Sequence, residues 1–165
     1  KNRCFQYGLL SCLAYLKKKS QKKFNKKRLP NYLMDVEQVI KQNTVSLVGK
    51  ALMKRTNDLM TRNRWQVHFY NVCSKKRKRD DMVLDLISYN EGDQIIMVNL
   101  IDNDGVTNHF VAICDEYIFD SNFIRALPLS VANLSICCGS KREMKIFQGF
   151  GTTIVYRAPT NIKFV

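Results

Sequence analysis

The sequence predicts a single α+β domain in which N-terminal helices pack on an antiparallel β-sheet. Apolar residues up to Arg62 recur at the spacing of amphipathic helices, and from Trp65 the period shortens to the two-residue alternation of strands. Helices first and strands afterwards is the segregated order of α+β folds. The 165 residues suit one domain spanning 1–165, with enough apolar material (45%) for a core and an ordinary charged fraction (25%).

From Cys4 to Leu16 the residues Phe5, Leu9, Cys12, Leu13 and Leu16 form one apolar stripe, so this segment reads as the first helix. The lysines that follow suit a helix C-terminus, where cations complement the helix dipole. Pro30 ends that connection, and Asn31 caps a second helix with Leu33, Val36 and Ile40 turned inward. A third helix covers Thr44 to Arg62 through Val45, Val48, Leu52 and Leu59. Trp65, Val67 and Phe69 alternate with Gln66, His68 and Tyr70 as in a half-buried strand. Asp80 caps a short helix with Val83, Leu86 and Ile87, which stops near Asn90 and Gly92. Gln94 to Ile101 is a near-continuous apolar run of the kind found in central strands, closed by the turn signal Asp102-Asn103-Asp104-Gly105. His109 to Cys114 and Tyr117 to Asn122 read as a hairpin hinged at Asp115-Glu116, and Thr152 to Arg157 as a last strand.

The net charge of +13 is concentrated in two segments. Lys17, Lys18, Lys19, Lys22, Lys23, Lys26, Lys27 and Arg28 form one, and Lys75, Lys76, Arg77, Lys78 and Arg79 the other. Their thirteen charges equal the whole excess, because the other lysines and arginines balance the 14 acidic residues. Such runs cannot be buried, so both are expected as solvated basic loops or loop–helix junctions at 17–28 and 75–79. No apolar run reaches the roughly 18–20 residues that a bilayer-crossing helix requires, and the first residues lack a secretion-signal pattern, so no membrane partner is expected. The chain opens on lysine, as a processed form or a fragment would. The six cysteines lack paired C-x-x-C spacing, which argues against a metal. Spread through apolar surroundings, they fit reduced thiols in an intracellular, reducing compartment.

The segment His109–Asn122 carries the sharpest geometric expectation. A tight turn at Asp115-Glu116 pairs Cys114 with Tyr117, Ile113 with Ile118, Ala112 with Phe119 and Val111 with Asp120. His109 and Asp120 then become diagonal neighbours on one face. A carboxylate there holds one ring nitrogen and leaves the other free to take a proton. A register slip of one residue would put the two on opposite faces. Taken alone, the pair also reads as a strand-edge histidine beside a polar hairpin end. A second partner changes the reading: Cys4 opens the first helix, where unpaired N–H groups and the positive end of the dipole lower a thiol pKa. Cys12 sits on the buried stripe and reads as packing, while Cys73, Cys114, Cys137 and Cys138 lack either a helix start or a nearby base.

A cysteine opening the first helix (NRCFQYGLLSCLAYL), further helices, then a strand-borne histidine with an acid on the next strand (NHFVAICDEYIFDSN) resembles the papain superfamily. The closest likeness is to ovarian-tumour-type and bacteriocin-leader peptidases and to protease-like domains of eukaryotic mobile elements. The resemblance implies a papain-like fold and a cysteine peptidase acting without cofactor or metal on a polypeptide or ubiquitin-like substrate, through an acyl-thioester. By the same likeness Cys4 is the nucleophile, His109 the general base and Asp120 the orienting acid, with Asn122 as its understudy. Asn2, or the N–H of Cys4 itself, would hold the oxyanion. The other reading is a protease-like fold without turnover, acting as a basic component of a ribonucleoprotein or other assembly. On that reading the two basic segments contact a nucleic acid or another polyanion, Phe24 stacks on a base, and KKRKR resembles a nuclear-import signal.

Overall fold

The computed structural model describes residues 4–23, 38–42, 47, 49–70, 93–102, 108–137, 144–146 and 153–159. They form an α+β fold built on a seven-stranded sheet whose strand pairs are all antiparallel. Three helices are named here: α1 (Cys4–Lys23), α2 (Gly49–Arg62) and α3 (Val131–Cys137). The strands are β1 (Gln66–Tyr70), β2 (Gln94–Asp102), β3 (Asn108–Cys114), β4 (Tyr117–Phe119), β5 (Leu127–Pro128), β6 (Met144–Ile146) and β7 (Thr153–Arg157). Their order is β1-β7-β2-β3-β4-β5, with β6 pairing β2 beyond the end of β7. Among the described residues no helix is long and apolar enough to cross a membrane.

β2 is the centre of the molecule, and its near-continuous apolar run has a structural reason. It is flanked by β3 on one side and by β7 and β6 on the other, and residues 94–100 are all buried. Ile95 and Met97 face a core that includes Phe5, Leu9, Cys12, Leu13 and Leu16 of α1, Ile40, and Leu52 and Met60 of α2. Ile96, Val98 and Leu100 face the opposite side, where Val111, Ile113, Ile118 and Val155 meet Leu134 and Cys137 of α3. A strand covered on both faces has no polar side to show, so alternation disappears from its sequence.

The apolar stripe expected on the first helix is the stripe found buried. The helix itself runs on to Lys23, so residues 17–23 of the expected basic loop are helical. Lysine is a good helix former, and nothing before Pro30 breaks the helix by itself. Residues 38–42 are helical with Ile40 buried, while the expected cap at Asn31 lies outside the described residues. α2 begins at Gly49, later than the expected Thr44, and buries Leu52 and Leu59 as anticipated. In β1 the inward alternation fails at Phe69, which is exposed. Among the described residues β1 ends the sheet and pairs only β7. The expected helix after Asp80 lies outside the described residues, as do residues 103–107 of the expected turn.

Three elements have no counterpart in the sequence reading: β5, α3 and β6. α3 nevertheless carries a start signal, since Ser130 Oγ accepts the Asn133 N–H at 3.0 Å as an N-cap. Asn133 Nδ2 donates to the Pro128 carbonyl at 2.7 Å, and the Leu129 N–H to the Glu116 carbonyl at 2.7 Å. These bonds tie α3 back to the β3–β4 hairpin.

α1 runs alongside β3 in the same direction, and the two share a matched step. Four residues of helix advance about 6 Å and two residues of strand about 6.6 Å. Three contacts follow that rhythm. Cys4 meets the Phe110 backbone, Gly8 lies against Ala112, and the buried Cys12 thiol lies near Cys114. At Gly8 the approach is so close that a Cβ would stand 3.0 Å from the Ala112 Cβ. Phe5 packs edge-on against Phe110, with ring centroids 5.0 Å apart. Further along α1, the Tyr15 hydroxyl donates to Asp115 Oδ2 at 3.0 Å, and Lys19 Nζ lies 2.9 Å from the same oxygen. Asp115 adopts a left-handed φ of 51° at the hairpin turn, which aspartate tolerates better than most residues.

Candidate active site

The β3–β4 ladder pairs Cys114 with Tyr117, Ile113 with Ile118 and Ala112 with Phe119, the register read from the sequence. It stops there, and Asp120 follows directly on the last pair. His109 lies on the stretch of β3 beyond the ladder, on the same face as Asp120. His109 Nε2 donates to Asp120 Oδ1 at 2.7 Å. The Asn122 N–H donates to the same oxygen at 3.0 Å, closing a tight turn around the carboxylate. Asn122, expected as the understudy of Asp120, thus meets that carboxylate through its main chain, and its side chain is exposed.

Beyond the last β3–β4 pair, the Phe110 N–H donates to Cys4 Sγ at 3.4 Å. The His109 ring interacts with the sulfur as well. Because Nε2 is held by Asp120, Nδ1 is the ring nitrogen open to Cys4. Burial deepens along this line: Cys4 is half-buried, the His109 side chain is 13% exposed, and that of Asp120 is fully buried. The sulfur end therefore faces outward and the carboxylate end inward.

The electrostatics follow the same line. Burial pushes the Cys4 thiol up, but His109, the N–H groups of Phe110 and Phe5 and the imidazolium charge outweigh it, leaving the thiol below its ordinary value. Burial pushes the His109 imidazole down, yet its bonds to Asp120 and Cys4 and their charges raise it to about 9. Burial pushes Asp120 up, and His109, the Asn122 N–H and the Cys137 thiol bring it below the usual carboxylate range. Cys4 and His109 shift in opposite directions, as a thiolate–imidazolium pair requires. Cys12 behaves differently: its burial, with Cys114 beside it, drives the thiol well above the ordinary value. It is a packing residue.

The other residues singled out in the sequence do not gather here. Lys17 is half-buried and Lys18 exposed on α1, while Lys22 and Lys23 belong to its last turn. Lys19 lies 3.3 Å from Asp93 and 2.9 Å from Asp115, so its charge is spent on the domain's own carboxylates. Asn2, Lys26, Lys27, Arg28, Lys75, Lys76, Arg77, Lys78 and Arg79, with Phe24, Cys73 and Cys138, lie outside the described residues. Among the described residues no group of three or more His, Cys, Asp or Glu side chains is placed to hold a metal ion. The sequence reading missed two contributors. The Phe110 N–H was legible only through the point where the β3–β4 ladder stops, and Cys137 only through the capping serine of α3.

Compared with known proteins, the chain matches no family model, no curated protein and no solved structure.

Proposed function

We propose that the protein is a papain-like cysteine peptidase that hydrolyses peptide or isopeptide bonds of a polypeptide or ubiquitin-like substrate. The observation that carries this reading is the line of interacting side chains from Cys4 through His109 to Asp120, in which the ring is held to the carboxylate at 2.7 Å. The chemistry follows from its order. The Cys4 thiolate attacks the carbonyl carbon, and the imidazolium of His109 then delivers its Nδ1 proton to the departing amine, leaving an acyl-thioester. In the second half His109 takes a proton from water, which attacks the thioester, and sulfur leaves as thiolate. Asp120 holds the ring by its other nitrogen and favours its charged form. The N–H of Cys4 and Asn2 are the groups assigned to the oxyanion, by likeness to the papain superfamily.

The test is selective alkylation of the native protein, mapped by peptide mass, together with hydrolysis of fluorogenic peptide and ubiquitin-fused substrates. Cys4 is expected to label well ahead of the other five cysteines, and Cys4→Ala to abolish hydrolysis. Equal labelling of all six, or none at Cys4, would overturn the reading. The inactive, assembly-component alternative predicts something else: salt-sensitive RNA or DNA binding that survives Cys4→Ala and weakens when Lys75 to Arg79 are neutralised.

A further inference from the structure

α1 turns one stripe of residues toward the β3–β4 hairpin. Cys4, Gly8, Ser11 and Tyr15 follow one another at steps of four, three and four, so they lie on a single flank of the helix. Both ends of the stripe show where that flank looks. At its start the Phe110 N–H meets Cys4 Sγ on the side of β3 that β4 covers further along. At its far end the Tyr15 ring packs on Tyr117 and Phe119 of β4, with centroids 5.5 and 5.9 Å apart, and its hydroxyl is held by Asp115. Between the two ends the helix offers only a glycine and a serine. Phe119 pairs with Ala112, against which Gly8 lies, so it stands one helical turn, about 6 Å of rise, along from Cys4. Ser11, Tyr15 and Phe119 are each half-buried, which leaves part of every one of them accessible.

We infer that this strip between α1 and β4 receives a bulky apolar side chain of the substrate, that of the residue whose carbonyl Cys4 attacks. Phe119 is its floor, Gly8 and Ser11 leave it room, and the anchored Tyr15 ring closes it. The inference rests on the reading of Cys4 as nucleophile and deepens it to a preference for leucine or phenylalanine beside the scissile bond. Continuity with the sulfur assigns the strip to the substrate. A chain whose carbonyl carbon lies at Sγ has its own side chain one turn from Phe119 or closer, within the span of a leucine or a phenylalanine. Charge points the same way. From Gly8 to Tyr15 the stripe carries no ionic group, and Lys19 and Asp115 at its far end are paired with each other at 2.9 Å. A charged side chain entering there would lose hydration without gaining a partner, whereas an apolar one displaces water from the rings.

The experiment treats the full chain with peptidyl chloromethyl ketones that differ only in the side chain beside the ketone: glycine, leucine, phenylalanine, aspartate or lysine. Iodoacetamide serves as the probe that needs no pocket, and alkylation of Cys4 is followed by peptide mass. The leucine and phenylalanine reagents should label the parent chain about ten- to a hundredfold faster than the other three, the range expected for burying one large apolar side chain. Ser11→Trp fills the strip and Phe119→Ala removes its floor. In both variants the two apolar reagents should slow about tenfold toward the glycine reagent, while the iodoacetamide rate stays within about twofold. Ser11→Val, which narrows the strip with less bulk, replaces a variant whose near-ultraviolet signal shows a disturbed fold. Equal rates for the glycine, leucine and phenylalanine reagents on the parent chain overturn the inference. An apolar preference that survives filling the strip and removing its floor overturns it as well. Failure of the underlying peptidase reading looks different, because iodoacetamide would then not single out Cys4 of the parent chain.

Discussion

At the residue scale, Cys4, His109 and Asp120 each have burial working against the charged form and hydrogen bonds working for it, and in each the hydrogen bonds win. The balance makes the site sensitive to single atoms. Asp120→Asn leaves the shape but offers an amide in place of a charge, and hydrolysis is expected to fall by about 10²–10⁴ in turnover. His109→Ala should return the Cys4 thiol toward its ordinary value and slow its alkylation near neutral pH about tenfold or more, measured by pH-resolved labelling. The directions of the shifts also fix the pH profile. The active pair needs Cys4 deprotonated and His109 protonated, so activity should rise at a pH below the ordinary thiol range and fall as pH passes about 9.

Stability follows the same protons by linkage. His109 has a folded pKa above its unfolded value, so its contribution is complete below about 6.5 and is lost as pH rises through about 9. Asp120 has a folded pKa below its unfolded value, so its contribution is present above the usual carboxylate range and is lost as pH falls through the depressed value. Denaturant midpoints across pH should therefore form a plateau between those two edges.

At the element scale, the matched step between α1 and β3 is what delivers the sulfur to the imidazole, and Gly8 is its closest point. Gly8→Val adds carbon where one Cβ already meets the Ala112 Cβ at 3.0 Å, and neither partner can rotate aside. A loss of about 1–3 kcal/mol is expected from denaturant unfolding, with slower Cys4 alkylation as α1 lifts off the strand. Lys19 offers the opposite case. Its ion pairs with Asp93 and Asp115 are partly exposed, so Lys19→Ala should cost no more than about 1 kcal/mol. Tyr15, which burial and Asp115 push up to about 12, keeps its proton and continues to donate across the working pH range.

The elements differ in how legible they were. The hairpin could be read to the residue because a period of two leaves no intermediate register: a one-residue slip would have turned Ile113 and Ile118 outward. The stripe on α1 was readable for the same kind of reason. The end of α1 was not, because a lysine run tolerates helix as well as loop, and a carboxylate such as Asp115 is brought to Lys19 only by the fold. α3 escaped because it is seven residues long with two firmly buried, too few to establish a helical period. β5 and β6 span two and three residues and owe their pairing to the strands beside them.

At the scale of the whole molecule, the sheet is the partition on which the site is assembled. α1 and α2 pack on one face and α3 on the other. Cys4 reaches β3 from the first side, while Asp120 lies near Cys137 of α3 on the second. Loosening either layer should therefore disturb the same three residues. In a thermal or denaturant titration, loss of selective Cys4 labelling is expected to coincide with loss of the near-ultraviolet signal of buried Trp65. Selective labelling lost well before that signal would mean that α1 detaches as a separate unit.

The hydrogen bond between Phe110 and Cys4 spans 106 positions of sequence. During synthesis the nucleophile would leave the ribosome long before the base that activates it, and the ring would stay unanchored until Asp120 followed. On the proposed reading a nascent chain would carry an ordinary, quiescent thiol, and hydrolytic power would arrive late and all at once, when the second half of the polypeptide closes over the first.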